Sequence, residues 1–168
     1  MITISNSSPM IYLAKINKLR LLKKVYDKII IPKEVYREVV EEGRRLSQKE
    51  VVLIEEMIDD GLISVEQVKS LKKFEQFSQL HQGEVHAISL CLNLKERNIL
   101  IDDKEAYNFC KLIDLKPMRT SAILLRLLRE KIISFKEFKE SLKDLSKEGY
   151  FIDINTFEYL LSEAKRYS

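Results

Sequence analysis

The sequence predicts an α/β fold built on a parallel sheet, because short runs of β-branched residues alternate with helical stretches of roughly 10 to 15 residues. The clearest strand is Lys28–Ile31. The clearest helix carries an apolar stripe at helical spacing, formed by Phe135, Phe138, Leu142 and Leu145. The length of 168 residues favours a single domain, residues 1–168, with residues 134–168 as a C-terminal helical extension.

The N-terminal quarter of the chain contains two predicted strands, each followed by a helix. Ile2–Ser5 is the first strand, and Ser8-Pro9 then supplies an N-cap and a first-turn proline for a helix that continues to Leu22. Pro32 ends the second strand and opens a helix that is predicted to end near Gly43.

The same alternation continues from residue 48 to the end of the chain. The predicted elements are, in order, a helix Gln48–Gly61, an edge strand Leu62–Val65, a loop with a helical turn at 69–81, a helix after Gly83, a strand Asn98–Ile101, a helix from Asp103 to Ile113, a last strand Leu115–Met118, and helices Ser121–Lys131, Phe135–Glu148 and Thr156–Tyr167. The sheet therefore has four or five strands.

The composition is that of an ordinary folded protein. The density of Ile, Leu, Val and Phe excludes a disordered chain, and uncharged apolar runs of about five residues are far shorter than the roughly 20 that span a membrane. Residues 1–14 lack the basic region and cleavage site of a signal peptide. Because Cys91 and Cys110 are too few for a disulfide framework, we expect a protein of the reducing cytoplasm.

The net charge of +3 hides two blocks of opposite sign. Residues 1–37 carry eight basic and two acidic side chains, whereas residues 38–66 carry three basic and nine acidic ones. Most of the acidic block is best interpreted as a solvated helix face. An acidic rim next to basic surface is nevertheless what the cleavage of a polyanion needs, so the near-neutral total does not argue against a nucleic-acid substrate.

Polar residues follow several of the predicted strands, at the sheet edge where ligands bind in open parallel sheets. These residues, with two glutamates from neighbouring helices, are Asn6, Ser7, Ser8, Glu38, Glu84, Asp102, Asp103, Thr120 and Ser121. Histidine, cysteine and lysine are nearly absent from the set. Hard oxygen donors of this kind suit Mg²⁺ or Mn²⁺ rather than Zn²⁺.

Each acidic or amide residue of this set also has an ordinary structural explanation. Asp103 is suited to cap the following helix, and Glu84 lies in a first turn, where the helix dipole favours a carboxylate. Glu38 is compatible with a solvated helix face, and Asn6 with a turn. No single position therefore establishes a site.

Taken together, the order and spacing of four segments resemble the PIN-domain ribonucleases, and more closely the small prokaryotic PIN-like proteins related to VapC-type toxins of toxin–antitoxin systems. The resemblance covers nearly the whole chain. Its segments are 7–16 (SSPMIYLAKI), 30–39 (IIPKEVYREV), 83–88 (GEVHAI) and 100–104 (LIDDK), and the stretch 149–152 (GYFI) is similar to that subfamily's tail.

The resemblance implies a three-layer α/β/α sandwich and an acidic site that holds one or two Mg²⁺ or Mn²⁺ ions. By match to the motifs, Glu38, Glu84 and Asp103 take the places of the family's acids. Asn6 stands where most members have their first aspartate, and Asp102 is a further metal ligand if its carboxylate turns inward. Ser8 and Thr120 would support the site.

Two other positions depart from the subfamily. Tyr107 stands where a basic residue is common, which removes a phosphate contact. Arg119 stands where glycine is common, and it either supplies a different phosphate contact or obstructs the cleft.

These observations predict a metal-dependent, toxin-like endoribonuclease. The first alternative is a catalytically weakened PIN-like module that binds a protein or RNA partner without efficient cleavage. The second is a receiver-like phosphoacceptor domain, which is disfavoured because its acidic pair should follow the first strand. The expected partners, by resemblance, are an RNA substrate, an antitoxin protein and a second copy of the chain, and no membrane contact is expected.

Overall fold

The structure, a computed structural model, describes residues 1–72 and 79–168. Of the predicted loop with a helical turn at 69–81, residues 73–78 lie outside the described residues. Within the described ranges, no helix combines the length and the apolar character that crossing a membrane would require.

A five-stranded parallel sheet forms the centre of the molecule, in the order β3-β2-β1-β4-β5. The predicted fold class is thus confirmed, including the position of the third strand at an edge. Each strand lies within one residue of its predicted ends. The strands are β1 (Ile2–Ser5), β2 (Lys28–Pro32), β3 (Ile63–Glu66), β4 (Asn98–Leu100) and β5 (Lys116–Met118).

Helices follow the strands in the predicted alternation. They are α1 (Ser7–Lys15), a 3-10 helix (Leu19–Lys24), α2 (Lys33–Tyr36), a π-helix (Arg37–Glu42), α3 (Gly43–Arg45), α4 (Glu50–Asp59), α5 (Gln82–Leu94), α6 (Lys104–Leu112), α7 (Thr120–Arg129), α8 (Phe135–Lys147) and α9 (Ile154–Lys165).

Two predicted helix ends differ from the structure. The first helix does not continue to Leu22, because Asn17 adopts a left-handed backbone with φ of 55° and separates α1 from the 3-10 helix. The helical stretch after Pro32 ends at Arg45, two residues beyond the predicted Gly43, which itself has helical dihedral angles. Gly43 instead allows α4 to approach, since a Cβ atom there would lie 2.5 Å from Cγ2 of Val51.

Two apolar clusters lie on opposite faces of the sheet and give the three-layer arrangement. Alternate β2 residues supply both faces: Ile29 and Ile31 belong to one cluster and Ile30 to the other. The first cluster packs α1, α4, α7, α8 and α9 on the sheet, and the second packs α5 and α6.

The C-terminal helices α8 and α9 belong to the larger cluster. The predicted stripe of α8 faces the core, since Phe138, Leu142 and Leu145 are buried and Phe135 is partly buried. Leu160 and Ala164 of α9 are buried in the same cluster. Because both flanking helices pack on the sheet, the segment that joins α8 to α9 has a fixed position relative to the sheet.

Candidate functional site

The parallel register brings the predicted polar residues to one edge of the sheet. Ile4 of β1 pairs with Ile30 of β2 and with Ile99 of β4, while Leu100 pairs with Met118 of β5. The residues that follow these strands therefore emerge side by side.

Asn6 follows β1 and is 5% exposed. Its backbone N–H donates a 3.0 Å hydrogen bond to the carbonyl of Leu100. Its side-chain Oδ1 is buried and receives no hydrogen bond from the described residues, although Asn6 occupies the N-cap position of α1. A buried acceptor without a donor is uncommon and points to a ligand that supplies the missing contact.

Glu38 meets Asn6 beside the first turn of α5. It lies in the π-helix, a rare conformation that is frequent at functional sites, and it accepts a hydrogen bond from the hydroxyl of Ser7. A Cβ atom on Gly83 would lie 2.8 and 2.9 Å from the two oxygens of Glu38 and 3.0 Å from Oδ1 of Asn6. Only glycine leaves room for this close approach.

Glu84 is 5% exposed and lies next to the same group. Its Oε2 accepts a 2.9 Å hydrogen bond from the backbone N–H of His81, as expected in a helix first turn. Burial raises the pKa of Glu84 and the His81 hydrogen bond opposes this, while the negative charges of Asp103 and Glu38 raise the pKa further. Glu38 and Asp103 are therefore both close enough to Glu84 to repel its carboxylate.

Asp103 is the N-cap of α6, as its ordinary structural explanation predicts. Its Oδ1 accepts a 2.8 Å hydrogen bond from the backbone N–H of Ala106. No donor among the described residues contacts Oδ2, so one oxygen remains available to a ligand.

Asp102 is held by protein donors. Its Oδ1 accepts hydrogen bonds from the Thr120 backbone N–H (2.8 Å) and the Tyr150 hydroxyl (2.9 Å), and its Oδ2 accepts one from the Thr120 hydroxyl (2.7 Å). Burial raises its pKa, although these hydrogen bonds and the charge of Arg119 act in the opposite direction. That Asp102 binds a metal ion stays a prediction. Such an ion would have to share Oδ1 or Oδ2 of Asp102 with the donors from Thr120 and Tyr150.

A cleft of about 660 Å³ opens beside the carboxylates. Its wall includes Ser8, Glu84, Asp102, Asp103, Arg119 and Tyr150. Ser8 thus faces the cleft, whereas the hydroxyl that contacts Glu38 belongs to Ser7. The C-terminal segment 149–153 supplies part of the wall.

The two departures from the subfamily pattern contact each other. The guanidinium Cζ of Arg119 lies 4.7 Å from the ring centroid of Tyr107, a cation–π distance. Arg119 lines the cleft, so it brings a positive charge to the acidic site.

The donor set fits a hard divalent cation, although its members do not surround a common point. Within the described ranges, no three His, Cys, Asp or Glu side chains are arranged as ligands of one ion. Nevertheless, Asn6 Oδ1 lacks a donor, Asp103 has an available oxygen, and Glu84 is repelled by two neighbouring carboxylates. Oxygen ligands and excess negative charge are what Mg²⁺ and Mn²⁺ require.

Two contributing residues, Gly83 and Tyr150, are not among the predicted site residues. Ser7 is among the predicted polar residues after β1, although nothing local distinguishes its role from that of Ser8. The role of Gly83 has a local signal, because a glycine directly before Glu84 at the start of α5 often marks a place where another chain segment approaches closely. The contact of Tyr150 with Asp102 spans 48 residues and has no local signal.

Comparison with known proteins finds a family match over nearly the whole chain. A family described as a PIN domain, DUF3368, matches residues 2–166. Among solved structures, the chain is similar to a PilT N-terminus domain protein from the hyperthermophilic archaeon Sulfolobus solfataricus P2, with 18% identity, a TM-score of 0.45, and coverage of 71% of this chain and 87% of that chain. No curated protein matches the chain at a significant level. The family match includes every residue of the site described above.

Proposed function

The chain belongs to the PIN-domain family, and we propose that it is a metal-dependent endoribonuclease that cleaves RNA phosphodiester bonds. PIN domains have a nuclease-type fold and generally use divalent metal ions. The observation that carries the proposal is the grouping at the carboxyl edge of the sheet: the oxygens of Glu38 and Asn6 converge on Gly83, next to Glu84, and the charges of Glu38 and Asp103 both act on Glu84.

Four residues would hold the cation. Glu84 and Asp103 would be the principal ligands, Glu38 would bind the ion or orient a water molecule, and the amide oxygen of Asn6 would be a neutral ligand. When bound, Mg²⁺ or Mn²⁺ would offset the repulsion between carboxylates and phosphate, polarise the phosphate and lower the pKa of a water molecule.

The surrounding residues keep these ligands in place before substrate binds. The Ser7 hydroxyl orients Glu38, and the His81 backbone N–H orients Glu84. Gly83 keeps the space between Glu38 and Asn6 free of a side chain. Such fixed positions reduce the reorganisation that binding and reaction require.

A cleavage assay with labelled RNA and Mg²⁺ or Mn²⁺ tests the proposal. Asp103→Asn should reduce the rate at least a hundredfold while preserving the helix cap, because asparagine is also a good N-cap residue. Asp114→Asn is the matched control, since Asp114 is exposed, and we expect it to cleave like the wild type. Equal cleavage by wild type and Asp103→Asn would contradict the proposed site.

A second candidate function is a PIN-like module that binds RNA or a protein without efficient cleavage. Asn6 favours it, because an amide adds no negative charge and cannot act as a base. Calorimetric titration with Mn²⁺ distinguishes the two functions. Binding of RNA without binding of Mn²⁺ or cleavage would favour the module.

The biological setting is also part of the proposal. We expect a toxin-like protein of the cytoplasm that forms a homodimer and is silenced by an antitoxin. The two free cysteines, Cys91 and Cys110, are buried and compatible with a reducing compartment. Co-purification with the product of a neighbouring gene and the mass of the complex in solution test these expectations.

A further inference from the structure

Acidic side chains line the cleft and would repel the negative charge of a phosphodiester substrate. Glu84, Asp102 and Asp103 line it. The proposed divalent cation would offset part of this repulsion, and a positive side chain beside the carboxylates would offset more of it. Any such group must be close to the carboxylates without being neutralised by them.

Arg119 meets this requirement. It precedes α7, lines the cleft and makes no ion pair with the described residues within 4.0 Å. Its Nε is buried and donates no hydrogen bond within the described ranges. Because buried donors nearly always have an acceptor, the described residues leave this guanidinium without its usual compensation.

Asp102 lines the same cleft but makes no ion pair with Arg119 within 4.0 Å. The donors that contact the oxygens of Asp102 are instead Thr120 and Tyr150. The guanidinium therefore stays available to an anion from outside the protein.

Tyr107 fixes the guanidinium. Its ring lies 4.7 Å from Cζ of Arg119, and Nζ of Lys111 lies 5.9 Å from the same ring. An arginine that is stacked on a ring loses little side-chain entropy on binding, and its planar fork matches two phosphate oxygens. The ring thus positions the residue that would contact the ligand.

We propose that Arg119, positioned by Tyr107, binds a phosphate group of the RNA substrate beside the carboxylate site. This inference rests on the proposed ribonuclease function and adds to it the residue that receives the substrate backbone. It assigns Arg119 to substrate binding rather than to bond cleavage, so its loss should affect KM more than kcat.

The test measures the affinity for a labelled 2′-O-methyl RNA oligonucleotide in Mn²⁺ at several KCl concentrations, together with kcat and KM for unmodified RNA. Arg119→Gln should weaken binding about tenfold and lower the salt slope by about 0.7, the value for one single-strand phosphate contact, with kcat within about threefold. Arg119→Lys keeps the charge and the stem and should have an intermediate affinity. If Arg119→Gln does not fold, the Arg119→Lys variant tests the inference instead. Wild-type affinity in Arg119→Lys would contradict a bidentate contact between the guanidinium and the phosphate.

Two variants of Tyr107 test whether its ring positions the Arg119 guanidinium for binding. Tyr107→Phe keeps the ring and should bind like the wild type, whereas Tyr107→Leu should weaken binding about threefold. Arg126→Gln is the matched control, because Arg126 also stacks on a tyrosine, Tyr26 at 5.1 Å, but lines a different cavity. It should change neither the affinity nor the salt slope.

The outcomes distinguish this inference from the proposed function. Wild-type affinity and salt slope in Arg119→Gln would overturn the inference, while cleavage by the wild type would still support a ribonuclease. A wild-type protein that neither binds nor cleaves RNA would overturn both.

Discussion

The hydroxyl of Tyr150 donates a 2.9 Å hydrogen bond to Oδ1 of Asp102. The tyrosine ring also contacts Tyr12 of α1 edge-to-face, with centroids 5.0 Å apart and an interplanar angle of 83°. One side chain thus joins the segment between α8 and α9 to the first helix and to the carboxyl edge of the sheet. This part of the cleft wall is therefore fixed relative to the carboxylates.

Tyr150→Phe should lower the free energy of unfolding by about 2 kcal/mol, because it removes a hydrogen bond to a buried carboxylate and keeps the ring contact. Urea denaturation measures the change. Tyr159→Phe is the control: Tyr159 is 62% exposed, and we expect a change within about 0.5 kcal/mol. Equal stabilities of Tyr150→Phe and the wild type would show that the hydrogen bond contributes nothing.

Glu84→Gln should stabilise the metal-free protein at pH 7 and have little effect near pH 4. Burial, reinforced by Asp103 and Glu38, raises the pKa of Glu84, so the folded protein retains a proton that the unfolded chain has released. Its stability contribution is complete below the ordinary pKa of 4.5 and is lost as the pH rises through the folded-state value.

Thermal unfolding in EDTA between pH 4 and pH 8 measures this effect. Glutamine keeps an oxygen that can accept the His81 hydrogen bond, so the comparison isolates the charge. The exposed Glu158→Gln serves as control. A stability difference that does not change with pH would argue against a perturbed Glu84.

Gly83→Ala should reduce RNA cleavage and Mn²⁺ affinity at least tenfold while changing the free energy of unfolding by no more than about 1 kcal/mol. The added Cβ would displace the oxygens of Glu38 and Asn6, but alanine is favoured over glycine in a helix by about 1 kcal/mol.

Gly61→Ala should have the opposite effect. Gly61 has φ of +77° and open space around its Cα, so alanine there strains the backbone by about 1 kcal/mol without approaching the site. We expect lower stability with wild-type cleavage. If both glycine variants lose stability and activity in parallel, the close approach at Gly83 has no specific role.

Asn6→Asp should tighten Mn²⁺ binding by about tenfold and lower the stability of the metal-free protein, because it places a fourth negative charge beside Glu38. Calorimetry in Mn²⁺ and thermal unfolding in EDTA measure the two effects. Asn17→Asp makes the same charge change at an exposed position. Unchanged Mn²⁺ affinity in Asn6→Asp would place the cation away from Asn6.

Strands were predicted more accurately than helix ends. Strands β1, β2 and β3 consist largely of β-branched residues and end at Ser5, Pro32 and Glu66, so their limits are local properties, whereas β5 has no β-branched residue. The deviations at Asn17 and Gly43 have a different cause. Asparagine tolerates a left-handed turn, and a glycine within a helix can serve close packing, so neither residue type alone decides whether a helix ends.

Which oxygen-bearing residues follow the strands is evident from the chain alone, and the parallel sheet then brings Asn6, Asp102 and Asp103 to one edge. Their contacts depend on packing, which pairs Ser7 with Glu38, Tyr150 with Asp102, and Tyr107 with Arg119. The difference is one of range along the chain. Alternation along a strand is a local property, whereas the contacts of Glu38 and Asp102 span 31 and 48 residues and depend on how the helices pack against the sheet.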